Sequence, residues 1–203
     1  MEKVKMIQDS VPWRVELLAT AERLEKRKFQ RRWTDRTGFL VERDVMVGAY
    51  SVRRLKESFK VSDDLLKRTW PVRIYEPCGL PSDVSNNHKF WDLYDLQKGR
   101  DAELSLTNIC NQVIHSWVWG FAAGVGGSGL DGIFVSSDRK RKKCLYFLSV
   151  DMLVGLFRSI GEEEICHIEM KRDEAGEMKF TRIVGRRLGE AIPGEFELPD
   201  ALR

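Results

Sequence analysis

Apolar residues recur at helical spacing through the first half of the chain. One row consists of Trp13, Leu17, Ala21 and Leu24, and a second consists of Val41, Val45, Gly48, Val52, Leu55 and Phe59. This spacing predicts two long helices. Asp9 or Ser10 followed by Pro12 is typical of a helix start. A glycine within an apolar row weakens an exposed helix, so we expect Gly48 to let another helix approach closely.

Two rows at helical spacing overlap between residues 101 and 120. The apolar row is Leu106, Cys110, Val113 and Trp117, and the polar row is Asn108, Asn111, Gln112 and His115. Together they predict a third helix over 101–120 with neutral amides and a histidine on one face. Such groups need hydrogen-bond partners when buried, and they can serve chemistry when they line a cleft.

After Gly120 the pattern changes to short apolar runs separated by turn-forming residues. Strands are predicted at 132–135, 144–150, 165–171 and 178–184, with a short helix at 151–160 and a hairpin turn at 173–176. Between the second and third helices we expect Ser62 to cap one further helical turn. We then expect an extended segment at 71–77, a loop at 78–87 and a short helix at 88–98.

Helices followed by antiparallel strands predict an α+β fold, with a helical N-terminal half and a small antiparallel β-sheet in the C-terminal half. We divide the chain into a mainly helical region at 1–120, an antiparallel β region with a short helix at 121–190, and a tail at 191–203 with little regular structure. We expect these regions to form one compact domain, because 203 residues are enough to bury one core.

Composition narrows the class of protein without identifying its function. Apolar residues make up 42% and charged residues 32% of the chain, which favours a globular protein over a disordered one. The net charge of +3 does not by itself indicate nucleic-acid binding. We find no secretory signal and no apolar run long enough to span a bilayer. We therefore expect a cytoplasmic protein with reduced cysteines and no membrane partner.

The glycine loop at 124–129 matches the pattern G-x-G-x-x-G of dinucleotide-binding folds, but it follows a predicted helix and precedes a predicted strand. In a dinucleotide-binding fold a strand precedes this loop and a helix follows it, which is the reverse of the order here. We therefore expect a flexible connection and not a nucleotide site. The candidate metal ligands are Cys110, His115, Cys144, Cys166 and His167. No C-x-x-C pair occurs among them, so we predict no metal and no cofactor.

Asn111 and His115 resemble the core motif of HEPN helical domains, many of which are metal-independent RNases or parts of toxin and defence systems. That motif is an arginine, a polar residue that is often asparagine, three to five further residues and a histidine, on one helix of a small bundle. Here Cys110 occupies the arginine position and cannot supply its charge to a phosphate. An arginine from elsewhere would have to replace it, and the candidates are Arg43, Arg53 and Arg100.

The resemblance implies that His115 acts as general acid or base on a ribose hydroxyl, with Asn111 orienting it or the phosphate. The alternative is that both residues form a hydrogen-bonded polar seam between helices. One of these three arginines beside His115 in a cleft favours the enzyme, whereas a His115 packed beneath aromatic side chains favours the seam.

Two basic clusters are candidates for contact with nucleic-acid phosphates. The first, at 26–32, contributes Lys26, Arg27, Arg31 and Arg32, and the second, in the predicted turn after the first strand, contributes Arg139, Lys140 and Arg141. Trp33 could stack on a base beside the first cluster. Each cluster alone could equally be a solvated helix end or turn, but convergence on one face would make a binding surface.

Two functions remain open from the sequence. The leading hypothesis is a non-catalytic binding or accessory protein that acts on RNA, DNA or a protein partner, which includes a second copy of the chain. The alternative is a HEPN-like metal-independent RNase with His115 as general acid or base.

Overall fold

A computed structural model of the chain describes residues 9–124, 127 and 129–187. The first half contains α1 (Val11–Arg27), α2 (Asp35–Glu57), α3 (Asp63–Lys67), β1 (Thr69–Tyr75), a short 3-10 helix (Asn87–Asp92), β2 (Arg100–Ser105) and α4 (Leu106–Ile114). The second half contains β3 (Ser116–Ala123), β4 (Leu130–Ser137), β5 (Leu145–Ser149), α5 (Val150–Gly161), β6 (Glu163–Arg172) and β7 (Met178–Arg187). The predicted α+β fold is confirmed.

Five strands form an antiparallel sheet in the order β2-β1-β5-β4-β3, and β6 pairs with β7 as a separate hairpin. β1 and β2 precede residue 120, so this sheet takes strands from both of the regions that the sequence pattern separates. β2 and β3 lie at opposite edges of the sheet, and α4 alone connects them. The position of α4 across the sheet is therefore fixed at both of its ends.

The two faces of the sheet are buried in different apolar clusters. The larger cluster joins α1, α2, α4 and α5 to one face and includes Tyr146 and Leu148 of β5. The smaller cluster lies on the other face, where Leu145 of β5 meets Phe90 and Tyr94 from the segment between β1 and β2. Consecutive residues of β5 thus enter alternate clusters, as the pleat of a strand requires.

The prediction of one helix over residues 101–120 is wrong at both ends. Residues 100–105 pair with β1, and residues 116–123 pair with β4, so only the central nine residues are helical. The Ser105 side chain accepts a hydrogen bond from the Asn108 backbone N–H and caps the helix. The helix therefore begins at Leu106, within the predicted range. Trp117 consequently lies on β3 and not on the apolar face of α4.

Smaller differences have local causes. α2 ends at Glu57, before Phe59, because Phe59 takes a left-handed backbone conformation with φ 59°. The short helix predicted at 88–98 is a 3-10 helix that ends at Asp92. β7 extends to Arg187, three residues beyond the predicted strand end, and the predicted tail at 191–203 lies outside the described residues.

Local signals for several elements are confirmed. Ser62 accepts a hydrogen bond from the Leu65 backbone N–H at the start of α3. In the β6–β7 turn, Asp173 Oδ1 accepts from the backbone N–H groups of Ala175 and Glu177. Gly176 supplies the positive φ of 82° that this turn requires.

Gly48 lets α5 pack directly against α2, as the apolar row predicts. A Cβ at this position would lie 2.5 Å from Cζ of Phe157, whose side chain is fully buried on α5. A Cβ at Gly155 of α5 would instead have its nearest neighbour, in Trp70, at 3.9 Å. The two glycines therefore offer a matched test of the helix contact.

Gly48→Ala should lower the free energy of unfolding by about 1–3 kcal/mol, because Phe157 has no space to move away. Gly155→Ala should leave it unchanged or raise it by up to about 1 kcal/mol through helix propensity. Urea unfolding of both variants measures the difference. Equal stability of the two variants would contradict the close α2–α5 contact.

Candidate functional site

The polar row of α4 and the turn after β4 meet in one cleft of about 440 Å³, which we call the amide cleft. Its lining residues are all polar: Asn108, Asn111, Gln112, His115, Ser137, Asp138, Arg139 and Lys140. The structure thus brings together His115 and Asn111 with Arg139 and Lys140, which the sequence analysis assigned to separate hypotheses.

Strand register explains why His115 meets this turn. Ser116, the first residue of β3, pairs with Ser137, the last residue of β4. The residue before β3 therefore lies beside the residue after β4, and the Asp138 backbone N–H donates to the carbonyl of His115 over 3.2 Å. The imidazole remains exposed at the end of α4.

Gln112 fastens α4 to β4 from inside the cleft. Its side-chain oxygen accepts a buried hydrogen bond of 3.0 Å from the Ser137 backbone N–H, and the Gln112 side chain is itself buried. Asn108 is exposed and Asn111 half-buried, and both lie in the cleft wall. Gln112 is therefore a structural member of the polar row, whereas Asn108 and Asn111 present amide groups to a ligand.

The turn at 138–143, which we call the basic turn, is braced by Arg141. Its guanidinium donates to the Ser82 carbonyl and to Asp138 Oδ1 and lies 4.3 Å from the ring centroid of Trp117. The Tyr94 hydroxyl donates to the Arg141 carbonyl, and burial raises the pKa of Tyr94 to about 12, so that this donor stays protonated. Arg141, predicted to contact nucleic acid, does not line the cleft and instead holds the basic turn in place.

Arg139 and Lys140 are the cationic part of the amide cleft. Both side chains are exposed, and neither forms an ion pair with a carboxylate of the described residues. Asp138 is the one acidic residue of the lining, and its Oδ1 already accepts from Arg141. The cleft therefore presents two available cations beside neutral amides and an imidazole.

The three arginines considered as replacements for the missing motif arginine lie elsewhere. Arg43 pairs with the buried Asp44, and Arg100 lies on the edge strand β2 near Glu76. Arg53 lines a separate cleft on the other side of Asn111. Burial raises the pKa of the Cys110 thiol to about 12, so this residue stays neutral and cannot take the role of a charged group.

The first basic cluster does not converge with the amide cleft. The Gln30 carbonyl accepts a hydrogen bond from the Gly129 backbone N–H, directly before β4. Arg31 and Trp33 line a hollow with Phe121 of β3, and this hollow lies at the start of β4. The amide cleft lies at the other end of β4, and the strand of eight residues separates the two by about 24 Å. The predicted residues Lys26, Arg27, Arg31 and Arg32 thus belong to a different surface.

Several residues that line the amide cleft, or the separate cleft lined by Arg53, carried no functional signal in the sequence. Ser137 and Asp138 enter the amide cleft through the β3–β4 register, and Lys56 and Thr107 face each other between α2 and α4.

No cluster of three or more His, Cys, Asp or Glu residues suited to a metal ion occurs in the described part of the chain. Among the described helices, none combines the length and apolar character needed to cross a membrane.

Gln112→Leu should lower the free energy of unfolding by about 1–3 kcal/mol, because the buried Ser137 N–H loses its acceptor. Amide exchange at Ser137 should accelerate in the same variant. Asn108→Ala is the matched control, because the side chain is exposed on the same helix and makes no hydrogen bond that holds α4 in place. A Gln112→Leu variant as stable as Asn108→Ala would show that the bond does not fasten α4.

Comparisons of this chain with protein-family models, with curated proteins and with solved structures found no match.

Proposed function

We propose that the chain binds nucleic acid through the amide cleft. The observation that carries this proposal is the meeting of Arg139 and Lys140 with the amide and imidazole groups of α4 in one cleft. Cations contact phosphates and supply most of the affinity, whereas hydrogen-bonding groups contact bases and riboses. The cleft offers both kinds of group.

The neutral amides suit the polar edges of bases and the ribose hydroxyl. The side-chain amides of Asn108 and Asn111 each carry two hydrogen-bond donors and an acceptor. The imidazole of His115 adds ring nitrogens that can donate or accept a hydrogen bond. Protein-binding hot spots are instead built on aromatic and arginine anchors in desolvated pockets. Arg139 is the one residue of the lining that is typical of such hot spots, and it is exposed and not desolvated, which favours nucleic acid over a protein partner as the ligand of this cleft.

Rigidity of the frame supports the same function. Gln112 fastens the helix to β4, and Arg141 with Tyr94 fixes the basic turn from the opposite side. Arg139 and Lys140 are thereby carried on a backbone that needs no ordering when a ligand binds. Preorganisation of this kind lowers the entropic cost of binding.

Arg139→Gln/Lys140→Gln should weaken binding of an octanucleotide single strand about tenfold in 50 mM salt, because the variant has two fewer cations to pair with phosphates. The slope of log affinity against log salt should fall by about 1.4, or about 0.7 for each cation that no longer pairs with a phosphate. Fluorescence anisotropy with RNA and with DNA measures both quantities and tells the two ligands apart.

The charge-matched control is Lys142→Gln/Lys143→Gln, which removes two exposed cations of the same basic turn that do not line the cleft. This variant should bind within about twofold of wild type, because these two side chains do not line the cleft and so do not pair directly with a phosphate held in it. Equal weakening by both double variants would mean that general positive charge, and not the cleft, attracts the nucleic acid.

A second candidate function is metal-independent RNA cleavage, as the HEPN resemblance implies. It is favoured by one observation: His115 is exposed in a cleft that also contains Arg139 and Lys140, which could supply the charge that Cys110 lacks. His115 would take the proton of a ribose 2′-hydroxyl, and the 2′-oxygen would attack the adjacent phosphorus. The 5′-oxygen of the next nucleotide would then leave and take up a proton, which leaves a cyclic phosphate.

Cleavage of single-stranded RNA should then survive excess chelator and fall at least about 100-fold in His115→Ala, since general acid–base catalysis contributes at least that factor. His88→Ala is the control, because His88 is an exposed histidine outside the cleft. Gel analysis of labelled RNA, with circular dichroism to verify folding, measures the effect. Tight binding of RNA by wild type without cleavage would contradict the catalytic function and would still agree with the proposed binding function.

A further inference from the structure

A second cleft lies on the opposite flank of α4, between α4 and α2, and has a volume of about 250 Å³. We call it the α2–α4 cleft, and its lining residues are Val52, Arg53, Lys56, Glu57, Leu106, Thr107, Cys110 and Asn111. Asn111 lines this cleft and the amide cleft. The two clefts therefore adjoin at one residue, whose side chain is half-buried between them.

The rim of the α2–α4 cleft is cationic. Lys56 Nζ donates to Thr107 Oγ1 over 2.7 Å and forms no ion pair with a carboxylate of the described residues. Arg53 pairs through its Nε with Glu57 at 2.8 Å, and Glu57 also lines the cleft. The hydroxyl of Thr107 thus holds a lysine ammonium over the cleft without neutralising it.

The floor of this cleft is apolar and neutral. Val52, Leu106 and Cys110 are buried there. A base or sugar could lie against this floor while the cations at the rim contact the phosphate. The arrangement differs from that of the amide cleft, where the walls themselves supply hydrogen bonds.

The two clefts follow α4 along its length. Thr107 lies in the first turn and His115 directly after the last, so about 12 Å of helix axis separates them at 1.5 Å per residue. A stacked single strand rises about 3.4 Å per nucleotide, so this distance corresponds to three or four nucleotides. Cations stand at both ends, with Arg53 and Lys56 at one and Arg139 and Lys140 at the other.

We infer that the two clefts form one continuous track for a single strand of nucleic acid, with Asn111 at its midpoint. This inference rests on the proposed function and specifies its ligand as single-stranded and at least three or four nucleotides long. Neither cleft, at about 250 and about 440 Å³, holds three or four nucleotides by itself, so a strand of this length has to occupy both. The bases of a duplex are paired and stacked, so they cannot turn into the clefts as the unpaired bases of a single strand can.

Calorimetric titration in 50 mM salt with a dinucleotide and with an octanucleotide single strand tests the track. Arg53→Gln/Lys56→Gln should weaken octanucleotide binding about tenfold and change dinucleotide binding less than twofold, because a dinucleotide in the amide cleft is too short to reach the cations of the α2–α4 cleft. Arg139→Gln/Lys140→Gln should weaken both ligands, and Lys142→Gln/Lys143→Gln should weaken neither. A blunt duplex of eight base pairs should bind at least about tenfold more weakly than the single strand.

Thr107→Glu provides an independent variant. Thr107 is exposed in the first turn of α4, where an acidic side chain is favourable to the helix. This variant should fold as wild type does, which its thermal unfolding checks, and it should weaken the octanucleotide alone by repelling phosphate.

The outcomes separate this inference from the proposed function. If Arg139→Gln/Lys140→Gln weakens the octanucleotide while Arg53→Gln/Lys56→Gln and Thr107→Glu do not, the track is wrong and the amide cleft remains the binding site. Equal loss of dinucleotide and octanucleotide binding in Arg53→Gln/Lys56→Gln also contradicts the track. If no variant of either cleft changes binding, the proposed function and the track both fail.

Discussion

The site depends on one constraint, which is that α4 carries the chain from one edge of the five-stranded sheet to the other without a loop. Four strand spacings amount to about 19 Å, and nine helical residues span about 14 Å, so the helix and its two capping residues are fully used in the crossing. Ile109 and Val113 of α4 are buried in the larger apolar cluster. The direction of α4, its depth and the flanks that it exposes follow from this crossing.

The chemistry of the site follows from the same crossing. Because α4 ends where β3 begins, the β3–β4 register delivers His115 to the basic turn, and the Gln112–Ser137 hydrogen bond fixes the distance between helix and strand. One flank of α4 then faces Arg139 and Lys140, while the other faces α2. A chain with a net charge of only +3 thereby places cationic side chains on both sides of a short helix.

Signals confined to a few neighbouring residues predicted structure well, because their physical causes are equally local. The cap at Ser62, the hairpin at Asp173 and the close approach at Gly48 are examples. The prediction of a helix over 101–120 failed because Ser105 caps a helix that begins at Leu106, and the flanking residues pair with β1 and β4 in the sheet. The polar row identified half of the amide cleft, since all four of its members line it. The other four lining residues reach the cleft through the β3–β4 register, and the α2–α4 cleft forms where two helices pack together. Neither arrangement produces a periodic pattern in the sequence.

Nuclear magnetic resonance titration of the labelled 23.5 kDa protein with a single-stranded octanucleotide tests the central claim most directly. Our account predicts that shift changes concentrate on the side-chain amides of Asn108 and Asn111, on the His115 ring and on the backbone of residues 138–140. Binding that shifts only residues 26–33, at the other end of β4, would contradict the account, as would the absence of any shift at saturating oligonucleotide.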